Sequence, residues 1–149
     1  MIVVDANVLL YAYDRSDGRH VAAARWLEAI MGGEGEVGLA LTTVLAFIRI
    51  STDPRVYEVP LPAQRAIGLV ESWLRRANVY LIGPTEAHWR ILTEIVVAGG
   101  ARGPLLMDAH LAALTMEHGG TLATVDRDFS RFRGLRTVDP TETVRSPTG

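Results

Sequence analysis

Four aspartates follow apolar segments of this sequence, a placement expected of acids that act together. Asp5 comes directly after a run of β-branched residues, and Asp126 follows a second apolar run in the same way. Asp108 stands after a glycine–proline loop and three apolar residues, and Asp128 lies two residues beyond Asp126. Carboxylates gathered in one place repel each other, and a divalent cation relieves that repulsion.

The candidate metal ligands are all oxygen atoms. The chain has no cysteine, and its four histidines form no metal-binding pair. Oxygen ligands alone select Mg²⁺, with Mn²⁺ as a substitute, and such an ion keeps positions open for water and a substrate phosphate. This is the arrangement for phosphodiester hydrolysis by a metal-activated water. We therefore expect catalysis by Asp5, Asp108 and Asp126, and metal binding by these three together with Asp128.

Each aspartate also has a structural interpretation. Asp5 and Asp126 are also typical strand-end turn residues, and Asp108 and Asp128 are typical helix N-caps. Caps have no reason to gather at one edge of a sheet, so the joint placement favours a functional site. Asn7 is predicted to cap the first helix and to contact the substrate.

The elements that position these residues alternate between strand and helix. Strands are predicted at residues 2–4, 37–40, 78–82, 121–125 and 135–138, and helices at 8–13, 19–31, 42–51 (capped by Thr42 and Thr43), 63–77, 86–98, 107–118 and 128–132. This alternation predicts an α/β fold with a mostly parallel sheet of four to five strands, covered on both faces. The carboxyl ends of the strands are where such sheets place their sites. If the first and fourth strands are adjacent, Asp5 and Asp126 lie at the same edge.

Composition narrows the classes of protein further. A chain of 149 residues with 48% hydrophobic and 21% charged residues fits one globular domain, which we place at residues 1–140, with a polar tail at 141–149. All fifteen basic residues are arginine, which excludes Walker-type phosphate binding and Schiff-base chemistry. The net charge of −2 means that nucleic acid would have to meet a local arginine patch or bridging metal ions. No apolar run is long enough to cross a membrane, so we expect a cytoplasmic protein.

The sequence resembles the PIN-domain ribonucleases, and among them the VapC toxins of bacterial toxin–antitoxin pairs. The resemblance rests on four segments in order, at residues 3–11, 47–55, 107–112 and 124–129. It implies a three-layer α/β/α fold, Mg²⁺-dependent cleavage of RNA, a homodimer and a VapB-type antitoxin that blocks the site. By position, Asp5, Asp108 and Asp126 match the acids of the family, and Asp128 is a possible helper.

One position departs from the family pattern. The family places a glutamate in the helix after the second strand, and the matching residue here is Ala46. Thr42, Ala46, Arg49 and Asp53 share one predicted helix face, but Asp53 is two turns from the gap and cannot simply substitute. Three aspartates suffice, or metal binding is weakened, or the glutamate was replaced to silence a toxin. Arg49 either pairs with an aspartate or holds a substrate phosphate.

Other functions compete with the nuclease. A PIN-like domain without the glutamate could act as a module that binds RNA or a partner, and metal-dependent cleavage separates the two. Phosphoacceptor domains and haloacid-dehalogenase-type phosphatases both need a lysine that this chain lacks. A toprim-like nuclease would want a glutamate at the first strand. The residues at 69–74 (Leu69, Val70, Trp73 and Leu74) form either a partner surface or core.

Overall fold

Five parallel strands form the middle layer of the computed structural model, which describes residues 1–142. The strands are β1 (Ile2–Val4), β2 (Val37–Ala40), β3 (Val79–Ile82), β4 (Thr121–Ala123) and β5 (Thr137–Val138). They lie in the order β3-β2-β1-β4-β5, and every neighbouring pair is parallel. The predicted sheet is confirmed, and β1 and β4 are adjacent as the site requires.

Helices cover both faces of this sheet. They are α1 (Ala6–Tyr13), α2 (His20–Met31), α3 (Leu41–Ser51), α4 (Ala63–Leu74), α5 (His88–Gly99), α6 (Leu105–Glu117) and the 3₁₀ helix η1 (Arg127–Arg131). Successive strand residues point to opposite faces. Val4 and Leu39 pack in the core beneath α1 to α4, whereas Val3 and Ala40 pack in the core beneath α5, α6 and η1. The three-layer α/β/α fold is therefore confirmed.

The predicted caps of two helices are wrong. Asp5, not Asn7, caps α1, because the chain turns into the helix immediately after β1. The third helix begins at Leu41 without any side-chain cap, so Thr42 and Thr43 do not cap it. Here Ala40 is still extended and the helix follows without an intervening loop, which leaves Thr43 buried inside the first turn.

The ends of several other elements also differ from the prediction. Helix α6 begins at Leu105, so Asp108 lies in its first turn and is not its cap. Gly103, with φ of +59°, makes the turn that lets the helix start this early. Helix α4 ends at Leu74 rather than at residue 77. Strand β4 ends at Ala123, opposite Val4, because its partner β1 extends no further.

The apolar residues of α4 belong to the core. Val70 is buried, and Leu69, Trp73 and Leu74 pack against the core beneath α1 to α4. The Trp73 ring lies 5.0 Å from the ring of Phe47. These contacts favour the core interpretation of the four residues over the alternative of a partner surface.

A chain of polar side chains joins α5 to α6 away from the predicted site. His88 Nδ1 donates to Glu117 Oε2 at 2.6 Å, and the other oxygen of Glu117 accepts from the Thr85 amide at 2.7 Å. His88 Nε2 lies 2.9 Å from His110 Nδ1. The carboxylate of Glu117 is only 1% exposed, so it is a buried charge with its partners in place.

No helix among residues 1–142 has the length and hydrophobicity that a membrane crossing needs. Of the predicted polar tail at 141–149, only Thr141 and Glu142 are among the described residues. The extent of the domain, residues 1–140, stays a prediction.

Candidate active site at the carboxyl edge of the sheet

Asp5 is the first residue beyond β1, and its side chain is fixed by three donors. Its Oδ1 accepts from the Ala6 amide at 2.7 Å, which caps α1. Its Oδ2 accepts from Thr124 Oγ1 at 2.8 Å and from Asn7 Nδ2 at 3.1 Å. Burial raises the pKa of Asp5, these hydrogen bonds lower it, and the nearby charge of Asp126 raises it again, so that the net shift is upward.

Thr124 is a residue of this site that the sequence analysis missed. Its hydroxyl donates to Asp5 and accepts from the backbone amide of Asp126 at 3.0 Å. It therefore links the ends of β1 and β4. A small hydroxyl residue two positions before a strand-end aspartate was the available signal.

Asp108 adds a further carboxylate to this acidic group from the first turn of α6. Burial and the charges of Asp126, Asp5 and Asp128 raise its pKa to about 6, and Arg131 offsets part of this rise. Among residues 1–142, no donor forms a hydrogen bond with the Asp108 carboxylate. The sequence prediction that Asp5, Asp108 and Asp126 gather at one edge agrees with these mutual effects.

Asp126 and Asp128 stand at the margin of this group. Asp126 caps η1 by accepting from the Asp128 amide at 2.9 Å, so the prediction that Asp128 caps this helix is wrong. Asp128 itself is exposed. Its negative charge acts on Asp108 at a distance and raises the pKa of that carboxyl.

A cleft of about 590 Å³ opens beside the acids. Asp5, Asp108 and Arg49 all line it, and neither Asp126 nor Asp128 does. The remaining lining residues come from α1, α3 and α6, and they are Ala6, Thr42, Thr43, Leu45, Ala46, Met107 and Leu111. Two carboxylates and one guanidinium thus share a space large enough for part of a nucleotide.

Helix α3 supplies the wall of the cleft where the family pattern has its glutamate. Thr42, Ala46 and Arg49 line this wall, as their shared helix face predicts. Asp53 lies beyond the end of α3 and forms a two-point ion pair with Arg55, at 3.1 and 3.0 Å. Among residues 1–142, Arg49 has no ion-pair partner, so its charge is available to a ligand.

The donors of the cleft fit a hard divalent cation. Within residues 1–142, no three acidic or histidine side chains lie close enough together to hold one ion as they stand. Mg²⁺, however, often binds through one or two carboxylates, with water and substrate phosphate completing its shell. Asp5 and Asp108 provide two such carboxylates. Near them, Asn7 Oδ1 is buried and has no hydrogen-bond partner among the described residues, but Asn7 does not line the cleft.

The sequence is similar to that of known proteins. The PIN domain family matches residues 2–135. Ribonuclease VapC37 of Mycobacterium tuberculosis is 40% identical over 140 residues, which cover 94% of this chain and 97% of that protein. Ribonuclease VapC33 of the same species is 34% identical over 140 residues, covering 94% of this chain and 98% of that protein.

Solved structures show the same fold at lower identity. VapBC2 from Rickettsia felis, bound to promoter DNA, superimposes with a TM-score of 0.67 at 15% identity, covering 93% of this chain and 98% of that one. The sarcin–ricin-loop-cleaving toxin VapC20 of Mycobacterium tuberculosis gives a TM-score of 0.66 at 20% identity, covering 91% and 99%. On the family match, and on the identity to its VapC relatives, this chain belongs to the PIN domain family.

Proposed function

We propose that this chain is an Mg²⁺-dependent endoribonuclease toxin of the VapC type. The observation that carries the proposal is the pairing of Asp5 and Asp108 in one cleft, with the pKa of both carboxyls raised. Acids in a cleft whose pKa is raised by burial and by neighbouring carboxylates are typical of functional sites. The relationship to named VapC ribonucleases supports RNA as the substrate.

Asp5 and Asp108 would hold the metal ion, and Asp126 would assist from the margin of the site, with Asp128 adding negative charge. When bound, Mg²⁺, or Mn²⁺ in its place, supplies positive charge for the scissile phosphate and lowers the pKa of a water. Thr124 keeps the Asp5 carboxylate in one orientation through its 2.8 Å hydrogen bond.

Asn7 and Arg49 would act on the substrate. Asn7 donates to Asp5 through its amide nitrogen, so its support for the substrate would pass through the Asp5 carboxylate, since its own oxygen is buried and Asn7 does not line the cleft. Arg49 presents a planar fork of donors, which matches a phosphate in two-point contact. The cleft therefore offers groups for the reacting phosphate and for the nucleotide around it.

A VapB-type antitoxin is the proposed protein partner, and the enzyme is proposed to act as a homodimer in the cytoplasm. The fold shared with the VapBC2 complex of Rickettsia felis supports the antitoxin. The alternative of an inactive binding module rests on Ala46 alone, and the named ribonucleases among the relatives do not favour it.

The direct test is cleavage of total cellular RNA by the purified chain, with Mg²⁺, with Mn²⁺ and with EDTA. We expect discrete fragments that need metal. Asp5→Asn should reduce cleavage more than about 100-fold, since residues that merely support a metal ligand already change activity 10–100-fold. Asp53→Asn is the matched control, because Asp53 pairs with Arg55 outside the cleft, and it should cut like the parent chain.

The variant Ala46→Glu decides the meaning of the missing glutamate. Equal cleavage by the parent and by Ala46→Glu means that three aspartates suffice. Cleavage by Ala46→Glu alone means that Ala46 disables the site. If every version is silent while RNA binding is retained, the enzyme proposal fails and the binding module replaces it.

A further inference from the structure

The order of the strands sets the order of charged groups along the active edge. The RNA path inferred below rests on the proposed function. Helix α3 follows β2, Asp5 follows β1 and η1 follows β4, and these three strands are neighbours in the sheet. Arg49 therefore stands on one side of the acids, and the arginines of η1 stand on the other.

Helix η1 holds two exposed arginines beside the acids. Arg127 and Arg131 flank Phe129, which is buried and anchors η1 to the core. Arg131 donates to the backbone oxygens of Asp128 and Gly99, each at 3.3 Å. These carbonyl contacts hold the side chain in place without neutralising its charge, and that charge reaches Asp108.

The loop before α6 begins beside η1 and carries a third arginine. Gly99 packs so closely on η1 that a Cβ there would lie 3.2 Å from the Phe132 ring and 3.3 Å from the Arg131 carbonyl. Arg102 is exposed three residues further along this loop. Within residues 1–142, no carboxylate forms an ion pair with Arg102, Arg127 or Arg131. By contrast, Asp17 holds Arg19 in a two-point ion pair.

We propose that Arg102, Arg127 and Arg131, the arginine strip, bind the phosphate backbone of the RNA strand on the β4 side of the cleft. Arg49 binds it on the β2 side. The strand then crosses the edge of the sheet at right angles to the β-strands, with the scissile phosphate over Asp5 and Asp108.

The charge of the whole molecule favours such a strip. A net charge of −2 gives no general attraction for RNA, and the cleft itself is acidic. Phosphate contacts position a nucleic acid without reading its sequence. Each contact also releases a counterion, so the salt dependence of binding counts the contacts: about 0.7 in the slope of log K against log salt for a single strand.

The test compares two double variants of the full-length chain. Arg102→Gln with Arg127→Gln removes two charges from the strip. Arg65→Gln with Arg75→Gln removes two exposed charges near the ends of α4, in the opposite helical layer. Arg131 is left in place, because its loss would also change the pKa of Asp108. Binding of a short single-stranded RNA oligonucleotide of mixed sequence is measured in EDTA over a series of KCl concentrations, with thermal melting as the check on folding.

We expect the variant Arg102→Gln with Arg127→Gln to bind RNA more weakly than the parent. Its slope of log K against log salt should be smaller in magnitude by about 1.4, which corresponds to two lost phosphate contacts. The α4 variant should keep the slope of the parent. Equal slopes for the two variants overturn the strip. If the parent chain also cleaves RNA in Mg²⁺, the nuclease stands and only the proposed path fails. A parent chain that neither cleaves nor binds RNA overturns both proposals, and one that binds through the strip without cleaving overturns the nuclease alone.

Discussion

Glu117 and Asp108 lie on the same helix, at opposite ends, in opposite electrostatic surroundings. Each oxygen of Glu117 accepts a hydrogen bond, one from the Thr85 amide and one from His88. Asp108 has no such donor among the described residues, and the charges that raise its pKa belong to Asp126, Asp5 and Asp128.

The difference separates structural from functional acids. A buried acid that is matched by donors holds two elements together, here α5 and the end of α6. Acids that lie close together without enough cationic partners destabilise the fold, unless a bound cation balances their negative charge. Burial of a carboxylate thus does not by itself indicate function. Whether its nearest charged neighbours are positive or negative is more informative.

The largest expected effect is on the structural side of this comparison. Glu117→Ala leaves His88 and the Thr85 amide without their acceptor in a buried position. We expect a loss of about 3 kcal/mol in the free energy of unfolding, the lower end for breaking a buried pair. For a chain of this size, that lowers Tm by roughly 6–12 °C. RNA cleavage measured well below the new Tm should stay near that of the parent.

Glu94→Ala is the matched control for Glu117→Ala. Glu94 pairs with Arg90 at 3.5 Å, and its side chain is 63% exposed. Exposed pairs of this kind contribute about 0.3–0.5 kcal/mol. If both substitutions change Tm by the same small amount, Glu117 is not the structural acid that its contacts indicate.

A smaller effect is expected at the link between the two strand ends. Thr124→Val keeps the shape but removes the donor to Asp5 and the acceptor for the Asp126 amide. We expect a loss of about 1–2 kcal/mol in stability. The pKa of Asp5 should rise further, because the lost hydrogen bond lowered it. The cleavage profile should then move to higher pH, since the ionised carboxylate is the one that would hold the metal.

Thr93→Val controls for the loss of a threonine hydroxyl. Among residues 1–142, Thr93 Oγ1 bonds only to backbone oxygens within α5, at 2.9 and 3.1 Å, and Thr93 is partly exposed. Its pH profile should match that of the parent. A lower Tm for Thr124→Val with an unmoved pH profile would leave Thr124 a structural residue only.

Much of the fold could be read from the sequence because its signals are local. Short apolar runs predict buried parallel strands, and the alternation with helices predicts the layers. The helix starts at Asn7 and Thr42 were wrong because β1 and β2 pass directly into helices. Tertiary pairing, and not local capping preference, decides where those helices begin.

The gathering of the acids could be predicted from the sequence, but their contacts could not. Strand-end placement brings Asp5 and Asp126 to one edge, since parallel strands present their carboxyl ends together, and Asp108 reaches the same edge from the first turn of α6. Nothing local to the chain shows that Thr124 bonds to Asp5, 119 residues away. The sequence also does not show where Asp126 lies relative to the cleft. Its charge raises the pKa of Asp5, yet Asp126 does not line the cleft.

The smallest expected effect tests the functional side of the comparison. Asp108→Asn removes a charge that its neighbours repel, so in EDTA at neutral pH the variant should be more stable than the parent. The rise in pKa from 3.8 to about 6 corresponds to at most about 3 kcal/mol, and solvent screening of this half-exposed side chain reduces it to about 1 kcal/mol.

The pH dependence of that gain has a defined direction. Because the folded chain holds the Asp108 proton more tightly than the unfolded chain, the parent has its full share of stability below pH 3.8 and loses it as pH rises through about 6. The Tm of Asp108→Asn should therefore exceed that of the parent above pH 6, and the two should converge as pH falls towards 4. A divalent cation should stabilise the parent more than the variant. If Asp108→Asn is less stable than the parent at neutral pH in EDTA, the acids of the carboxyl edge do not repel one another as described, and the contrast with Glu117 disappears.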